Sequence, residues 1–435
     1  MTTLETTRSG PEPDPKDAVE AATVVTAEAE PVTPLHRNRD FVLLWSGSAV
    51  SLIGSTASTI AYPLLVLALT GSAFSAGLAG SVALLPGLLL QLPAGALVDR
   101  WDRRRLMIWC DALRCLGVGS IALAAALGGL GLAQILAVSF AEGALTVFYG
   151  LAAHAAVPNV VPKSQVSLAL SRNEARGRAA VMLGTPLGGL LFGLGRAIPF
   201  LTDALSYLAS MAGLLLIRKE FQADPAAARA GRLTDQVREG LRWLWHRPFL
   251  RTTTLLVAGS NLMFRALFLV AIVLAGEVGA SSTGIGVMVG VAGGGGVLGS
   301  LAAPWFRNRF PLATLVIAAN WAWAVLMAVI ALVHDPYSLA AAYAAMWFVG
   351  PVWNVALGSY QLSITPDELR GRVLAAMSTL SSGALPLGSL AGGVLLSTAG
   401  PRPAATALAV WMVLLAGAAT LAPSVRGTTA APADG

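Results

Sequence analysis

Charged residues are scarce in this chain. Only 12% of its 435 residues are Asp, Glu, Lys or Arg, whereas 55% are apolar. Soluble globular proteins carry about twice that share of charge. The segment from Phe41 to Val98 contains no Asp, Glu, Lys, Arg or His, and ~20 apolar residues suffice for a helix to cross a bilayer. These numbers exclude a water-soluble fold, and this segment alone predicts two membrane spans.

Cysteine, histidine and lysine are also rare. The only two cysteines, Cys110 and Cys115, lie five apart on one predicted helix, so we expect neither a disulfide nor a metal site. The four histidines are scattered and no Asp-rich cluster occurs, which argues against a membrane-embedded lipid enzyme. No Gly-x-x-x-x-Gly-Lys-Ser/Thr motif is present, so ATP is not the expected energy source. We expect no cofactor and no enzymatic activity.

Apolar segments long enough to span a membrane recur along the chain. They predict an all-α integral membrane protein with twelve transmembrane helices, at 41–69, 75–98, 106–128, 131–157, 174–195, 198–217, 252–275, 284–306, 311–333, 337–361, 372–398 and 402–422.

Basic residues indicate how these helices are oriented. Of the 29 Lys and Arg residues, 25 fall in the two tails, in the connections after even-numbered spans or in the first five residues of the spans that follow those connections. By the positive-inside rule, both termini are then cytoplasmic, and an even number of spans is required. The net charge of +6 is accounted for by this placement, so we expect no nucleic-acid partner. The predicted location is a bacterial plasma membrane.

The chain divides into two halves of similar length. We predict a disordered cytoplasmic tail at 1–38, a six-helix half at 39–217, a basic cytoplasmic linker at 218–251, a second six-helix half at 252–422 and a short cytoplasmic tail at 423–435. The halves also repeat in sequence at an offset of 204, which pairs Gly95 with Gly299, Trp101 with Trp305 and Arg103 with Arg307. Equivalent positions in two six-helix halves indicate parallel repeats.

Several motifs carry a resemblance to a known family. The run Gly95-Ala-Leu-Val-Asp-Arg-Trp-Asp-Arg-Arg-Arg105 resembles the signature loop of the major facilitator superfamily, and its Asp102 is similar to the branch of macrolide-efflux proteins and the enterobactin exporter. Further matches are Phe41–Trp45, Asp203–Tyr207 and Pro366–Val373, so the resemblance covers residues 38 to 422. It implies the major facilitator fold of two parallel six-helix repeats.

The resemblance also implies a function. We expect a secondary active transporter that exports a small organic compound, such as an antibiotic or another secondary metabolite, by alternating access coupled to protons. A siderophore exporter of the same fold is an alternative, and a non-transporting receptor or scaffold is another. The expected partners are the small-molecule substrate, protons and membrane lipids, and the chain is expected to act as a monomer.

Two short motifs suggest moving parts. The resemblance implies that Gly95, Asp99, Arg100, Arg103 and Arg104 form a latch that holds the cytoplasmic side closed when the outer side is open. A positive topology anchor is the simpler interpretation. A second group of residues is expected to bend or pack the fifth span, where the proline falls one place later than in drug-efflux members: Gly184, Pro186, Gly188 and Gly189.

Charges inside spans are costly, ~2.5–3.5 kcal/mol at a helix centre, and mark candidate sites. Glu142 in span four and Arg265 in span seven lie on helices that line the central cavity of the implied fold, so they are candidates for substrate binding or proton coupling. The alternatives are a permanent Glu142–Arg265 ion pair and a charge that faces a neighbouring helix. Asp203 is a further candidate, although structural hydrogen bonding explains it equally simply. A glycine and Ser55 stand in span one where many relatives have an acid.

Aromatic and polar residues complete the candidate binding site. Tyr62, Trp353 and Asn354, with Trp347 and Gln361 nearby in sequence, are expected on cavity-lining helices. Aromatic walls suit large amphipathic or cationic substrates through stacking and cation–π contact. Interfacial anchoring of the same rings is the alternative.

Overall fold

Twelve long helices make up most of the part of the chain that the structure describes. The computed structural model describes residues 34–217, 219, 221, 239, 241–365 and 367–427. Within these residues there is no strand, and the helices are α1 Arg39–Thr70, α2 Ala73–Val98, α3 Arg103–Leu127, α4 Leu132–Val160, α5 Val166–Leu194, α6 Ile198–Leu216, α7 Pro248–Glu277, α8 Ser282–Arg309, α9 Leu312–Leu332, α10 Pro336–Ile364, α11 Asp367–Ala399 and α12 Pro401–Leu421. Each contains a stretch long and apolar enough to cross a membrane. The predicted all-α class and the count of twelve spans are confirmed.

Polar residues cap several helices where the apolar runs begin. Asn38 accepts a hydrogen bond from the Phe41 backbone at the start of α1. Asp335 caps α10 by accepting from the backbone N–H groups of Ser338 at 2.8 Å and Tyr337 at 3.1 Å. These bonds stabilise the charged carboxylate and hold the pKa of Asp335 below its ordinary value.

Helix α5 starts earlier than the apolar pattern predicts. The predicted start is 174, whereas the helix begins at Val166 after a short 3-10 turn at Lys163–Gln165. Its first turns mix apolar residues with serine, arginine and asparagine, so an argument based on continuous apolar runs does not detect them. Arg172 therefore lies on the helix itself rather than in the connection before it.

Helix α1 begins and α12 ends at the same end of the bundle, because the number of spans is even. We call this end the tail face and the opposite end the far face. Residues 1–33, 222–238 and 428–435 lie outside the described residues, and they include most of the predicted tails and linker. The predicted division at 218–251 therefore stays a prediction.

The sequence repeat is matched by a repeated contact. Nη1 of Arg103 donates to the backbone oxygen of Ala155 on α4 at 3.0 Å, and Nη1 of Arg307 donates to Oγ of Ser359 on α10 at 3.3 Å. The two acceptors are separated by the same 204 residues as the two arginines. The two halves therefore use equivalent residues for an equivalent helix contact.

Two helix pairs join the halves closely near the far face. On α2 and α11, a Cβ added to Gly77 would lie 2.7 Å from Cα of Gly393. On α5 and α8, a Cβ added to Gly189 would lie 2.8 Å from Cα of Gly286. All four glycines lie within about two turns of the far ends of their helices. Small residues let these backbones meet, which closes the far end of the interface between the halves.

Candidate functional site

A cavity of about 730 Å³ lies between the two halves. Thr56 and Thr59 of α1 and Glu174 of α5 contribute from the first half. The second half supplies most of the lining, including Asn261 and Arg265 of α7. Glu174 is exposed and lies about two turns from the tail-face end of α5. The cavity therefore extends toward the tail face, away from the closed far end.

The second half gives the cavity an aromatic wall. The centroid of the Phe264 ring lies 5.2 Å from that of Trp323 and 6.0 Å from that of Trp347. The Trp323 ring in turn lies 5.8 Å from Trp353. These separations are typical of interacting aromatic pairs. Rings packed against one another hold their orientation and offer a preformed apolar surface.

Two of the candidate binding residues predicted from sequence, Trp353 and Asn354, lie on the cavity wall. Trp353 is buried among the rings, whereas the amide of Asn354 is exposed to the cavity. Tyr62 is not among the lining residues of the described part of the chain. Its ring packs edge-on against Phe200, with centroids 5.0 Å apart.

Arg265 lies in the cavity and forms no hydrogen bond or ion pair with the described residues, and it interacts electrostatically with the buried Tyr343. Its guanidinium carbon is 5.2 Å from the centroid of the Phe268 ring. Its Nε is buried and has no hydrogen-bond partner. No ion pair joins Arg265 to Glu142, although both belong to the described residues, so the Glu142–Arg265 pair considered from sequence is wrong.

Glu142 belongs to a different site within the first half. The hydroxyl of Tyr62 on α1 donates to Oε2 of Glu142 at 2.7 Å, and the hydroxyl of Tyr207 on α6 donates to Oε1 at 3.1 Å. Glu142 is also absent from the described lining of the central cavity. In this structure the two tyrosines hold the Glu142 carboxylate toward α1 and α6, and its role in substrate binding or proton coupling stays a prediction.

Asp203 of α6 reaches the same site beside α1. It is fully buried, and its Oδ1 accepts from Ser206 Oγ at 3.3 Å and lies 3.5 Å from Ser55 Oγ. A Cβ added to Gly54 would lie 2.9 Å from the same oxygen. The absence of a side chain at Gly54 thus makes room for Asp203. An acid supplied by α6 stands beside the position in α1 where many relatives carry an acid.

Arg114 of α3 provides positive charge next to these acids. Its guanidinium carbon lies 5.2 Å from the Tyr149 ring centroid and 5.3 Å from that of Tyr207. Its Nη1 lies 3.9 Å from Oδ1 of Asp111, and both residues are buried. Arg114 also interacts electrostatically with Glu142 and Asp203. We call Asp111, Arg114, Glu142, Asp203 and the hydroxyl groups that contact them the acid cluster.

The acid cluster places three carboxyl groups around one guanidinium, so acidic groups outnumber basic groups there. A chain of hydroxyl groups connects Asp203 with Glu142, because Ser55 Oγ lies 3.5 Å from Asp203 Oδ1 and 2.9 Å from Tyr207 Oη, and Tyr207 donates to Glu142.

A second pocket of about 320 Å³ lies within the first half. Phe41 and His154 line it near the tail face, and Ser55 and Arg114 line its inner end. The inner residues also contact the acid cluster. Glu174 lines both this pocket and the central cavity. The acid cluster is thus approached from the tail face by a pocket separate from the aromatic wall.

The signature loop is held within the first half. Nη2 of Arg103 lies 3.5 Å from Oδ1 of Asp99, and Arg104 donates to the backbone oxygens of Leu214 and Leu215 at 2.9 and 2.8 Å. Arg100 is exposed, and a Cβ on Gly95 would meet nothing within 4 Å. These contacts anchor α3 to α6 on the tail side. The latch stays a prediction about a conformation closed at the tail face.

The glycines around Pro186 pack α5 on both sides. Gly184 and Gly188 approach backbone oxygens of α1, whereas Gly189 approaches Gly286 of α8. The Pro186 ring lies against Gly290 of α8. This segment is therefore where the first half meets both its own first helix and the second half.

Several site residues were not predicted from sequence. Arg178, Phe264, Phe268 and Trp323 line the cavity, and Tyr207 joins the acid cluster. Phenylalanine and tryptophan inside an apolar span resemble ordinary packing residues, so periodicity does not mark them. Tyr207 lies in the quoted Asp203–Tyr207 motif, and its spacing of one helical turn from Asp203 was the available signal.

Comparison with known proteins gives a consistent picture. A family model described as transmembrane secretion effector, within the major facilitator superfamily, matches residues 29–433. The chain is 28% identical over 390 residues to the multidrug efflux pump Tap of Mycolicibacterium fortuitum, which covers 86% of this chain and 93% of that protein. It is 24% identical over 225 residues to macrolide efflux protein A of Streptococcus pyogenes, which covers 52% of this chain and 55% of that protein.

A solved structure shows the same fold. The crystal structure of the nucleoside transporter NupG superposes with a TM-score of 0.72 at 11% identity, covering 90% of this chain and all of that one. At this identity the likeness supports the fold alone.

Proposed function

The chain belongs to the transmembrane secretion effector family of the major facilitator superfamily, and from this premise we propose that it exports small organic compounds in exchange for protons. The chain is a multi-pass membrane transporter rather than an enzyme. The proposal adds the direction of transport, the class of substrate and the coupling ion. The names of the relatives, a multidrug pump and a macrolide efflux protein, support export of organic compounds.

The observation that carries the proposal is that two separate sites, the central cavity and the acid cluster, lie in one helix bundle. The central cavity has an aromatic wall and extends toward the tail face, while glycine contacts close the far face. The acid cluster lies apart from this wall in the first half. A transporter that exchanges two different species needs a place for each, and both must change sides together. The shared helix α1, which contributes Thr59 to the cavity and Tyr62 to the cluster, links them.

The coupling step follows from the acid cluster. We propose that protons leave Glu142 and Asp203 toward the tail face through the second pocket, whose lining includes Ser55 and Arg114 beside these acids, while the substrate enters the central cavity. In the opposite conformation the acids take up protons from the far side. One charge moving through 100 mV releases ~2.3 kcal/mol, enough to support a useful concentration gradient.

We further propose that the tail face is cytoplasmic in a bacterial plasma membrane. The positive-inside distribution supports this orientation. Because the cavity and the acid cluster are completed by one chain, we propose a monomer as the working unit, surrounded by membrane lipids.

The test is transport in proteoliposomes with the purified full chain. We expect an imposed pH gradient to drive accumulation of the organic anion fluorescein, and a protonophore to abolish it. Glu142→Gln and Asp203→Asn should remove gradient-driven accumulation but keep exchange of labelled for unlabelled probe. Glu277→Gln is the matched control, because Glu277 pairs with Arg402 at the far end of α7. Accumulation that survives both acid variants would refute the coupling.

A further inference from the structure

We infer that the central cavity selects planar aromatic compounds with an anionic group, such as a carboxylate, a sulfonate or an enolate, and that Arg265 binds this group. The inference rests on the proposed function in taking this cavity as the substrate site. It names the chemistry of the substrate, which membership of the family does not.

Arg265 is an incompletely satisfied cation at the middle of α7. Its Nε is buried without a hydrogen-bond partner, and among the described residues it forms no ion pair. Guanidinium groups in water-poor sites are normally paired, because an isolated buried charge is costly. The five N–H donors form a planar fork that matches a carboxylate or a sulfonate. The ligand that would complete this site is therefore an anion.

The other charged groups of the cavity favour the same sign. The titratable lining residues are Glu174, Arg178 and Arg265. Glu174 lies near the tail-face end, and Arg178 donates to Oγ of Ser300 at 3.1 Å. The acids of the first half are bonded elsewhere, Glu142 to two tyrosines and Asp203 to Ser206. The deep part of the cavity is therefore positive.

The aromatic wall lies next to this positive charge. Phe264 and Phe268 are the nearest aromatic residues to Arg265 along α7, and Phe268 holds its guanidinium carbon 5.2 Å from the ring centroid. A flat ring system can stack on the wall while an acidic substituent reaches the guanidinium. The sequence led us to expect large amphipathic or cationic substrates at this wall, whereas we now favour anions, because a cation would meet Arg265 with no deep acid to pair with.

A matched pair of probes tests the sign of the charge. Pyrene-1-sulfonate and (1-pyrenylmethyl)trimethylammonium share one ring system and differ in charge. We would measure binding of each to the purified full chain in uncharged detergent, by quenching of tryptophan fluorescence. Wild type should bind the anion at least about tenfold more tightly than the cation, the range expected for a charge-assisted hydrogen bond. Equal binding, tighter binding of the cation or binding of neither probe would overturn the inference.

Variants then test whether Arg265 is the residue that binds the anionic group. Arg265→Gln should weaken binding of the anionic probe about 10- to 100-fold and leave binding of the cationic probe unchanged or tighter. Arg265→Lys should have an intermediate affinity for the anionic probe, because an ammonium group lacks the planar fork of N–H donors. Arg105→Gln is the control, because Arg105 lies outside the cavity and its side chain is 83% exposed, and it should change binding less than threefold. Arg178 is the other arginine of the cavity, and a larger loss in Arg178→Gln than in Arg265→Gln would refute the assignment. Should Arg265→Gln not fold, the lysine variant and the wild-type charge preference decide.

The binding experiment and the transport experiment test separate claims, so either claim can fail without the other. Anion binding without proton-driven transport would leave this inference intact and refute the proposed coupling. Proton-driven transport with no preference for the anionic probe would do the reverse.

Discussion

The hydroxyl of Tyr62 donates a 2.7 Å hydrogen bond to Glu142, and this contact ties α1 to α4 at the acid cluster. Helix α1 also borders the central cavity through Thr56 and Thr59. A change in the charge of Glu142 therefore acts directly on a helix that lines the substrate site. Two sites joined by one packed element can bias the same conformational equilibrium.

Removal of the Tyr62 hydroxyl tests this connection. Tyr62→Phe keeps the ring that packs against Phe200 and loses only the donor to the carboxylate. A hydrogen bond to a charged group contributes ~1.5–3 kcal/mol, so we expect gradient-driven transport to fall about 10-fold or more. The measurement is the initial rate in proteoliposomes. Tyr337→Phe, at an exposed position on the far face, should have no effect, and an unchanged rate in Tyr62→Phe would contradict the coupling role of this bond.

Gly54 makes room for the carboxylate of Asp203, which leads to a second prediction. A methyl group in Gly54→Ala would meet Asp203 Oδ1 and the Ser206 side chain, so the acid must shift. We expect a lower melting temperature by several degrees, because a strained buried site costs ~1–3 kcal/mol, and loss of proton-driven transport.

The control for Gly54→Ala is Gly87→Ala in α2, where an added Cβ meets nothing within 4 Å. Alanine is favoured over glycine in a helix by ~1 kcal/mol, so this variant should melt at the same temperature or higher. Equal melting temperatures of the two variants would show that Asp203 does not need the space left by the missing side chain at Gly54.

The sequence was sufficient for most of the fold, for reasons visible in particular segments. Apolar runs such as Leu312–Leu332 have a length that only a spanning helix satisfies. The start of α5 was missed because polar residues interrupt the apolar ones in Val166–Asn173, so this segment forms no continuous apolar run. Pairing of α2 with α11 and of α5 with α8 depends on glycine contacts between distant segments, and a single sequence does not reveal such partners.

Individual site residues could be predicted from the sequence, but the way they group into two separate sites could not. The cost of charge in a span marks Glu142, Arg265 and Asp203 individually. It does not say that α6 brings Asp203 to Glu142 while α7 keeps Arg265 in another cavity. Those placements depend on helix rotation, which is fixed by packing at positions such as Gly54 and Gly143.

The signature loop gives a third prediction. Arg103 is largely buried and donates to the backbone oxygens of Ala155 and Phe221. Arg103→Ala leaves both carbonyl groups without this donor, so we expect a destabilisation of ~1–3 kcal/mol and reduced transport. Arg105→Ala is the matched control, since that side chain is 83% exposed and contacts only Asp102 among the ion pairs described. Thermal melting and transport rates of the two variants should differ, and equal effects would favour a role as a general topology anchor.

Closure of the far face gives the last prediction. Gly286 of α8 faces α5, and its Cβ in Gly286→Ala would lie 2.8 Å from the backbone oxygen of Thr185 and 2.9 Å from Cα of Gly189. Helices α5 and α8 would have to separate at the far face, so we expect a shift toward conformations open on that side.

Spin labels at Leu127 and Tyr337, both exposed at far ends of helices in different halves, measure this shift. Cys110 and Cys115 would first be replaced by serine to provide a background without other thiols. Gly286→Ala should lengthen the distance between the labels and slow transport. Gly294→Ala, in the same helix but with no atom within 4 Å of its Cβ, should leave both unchanged. If both variants give the wild-type distance, the contact between α5 and α8 does not control opening of the far face. Closure of the far face would then depend on the contact of Gly77 with Gly393 instead.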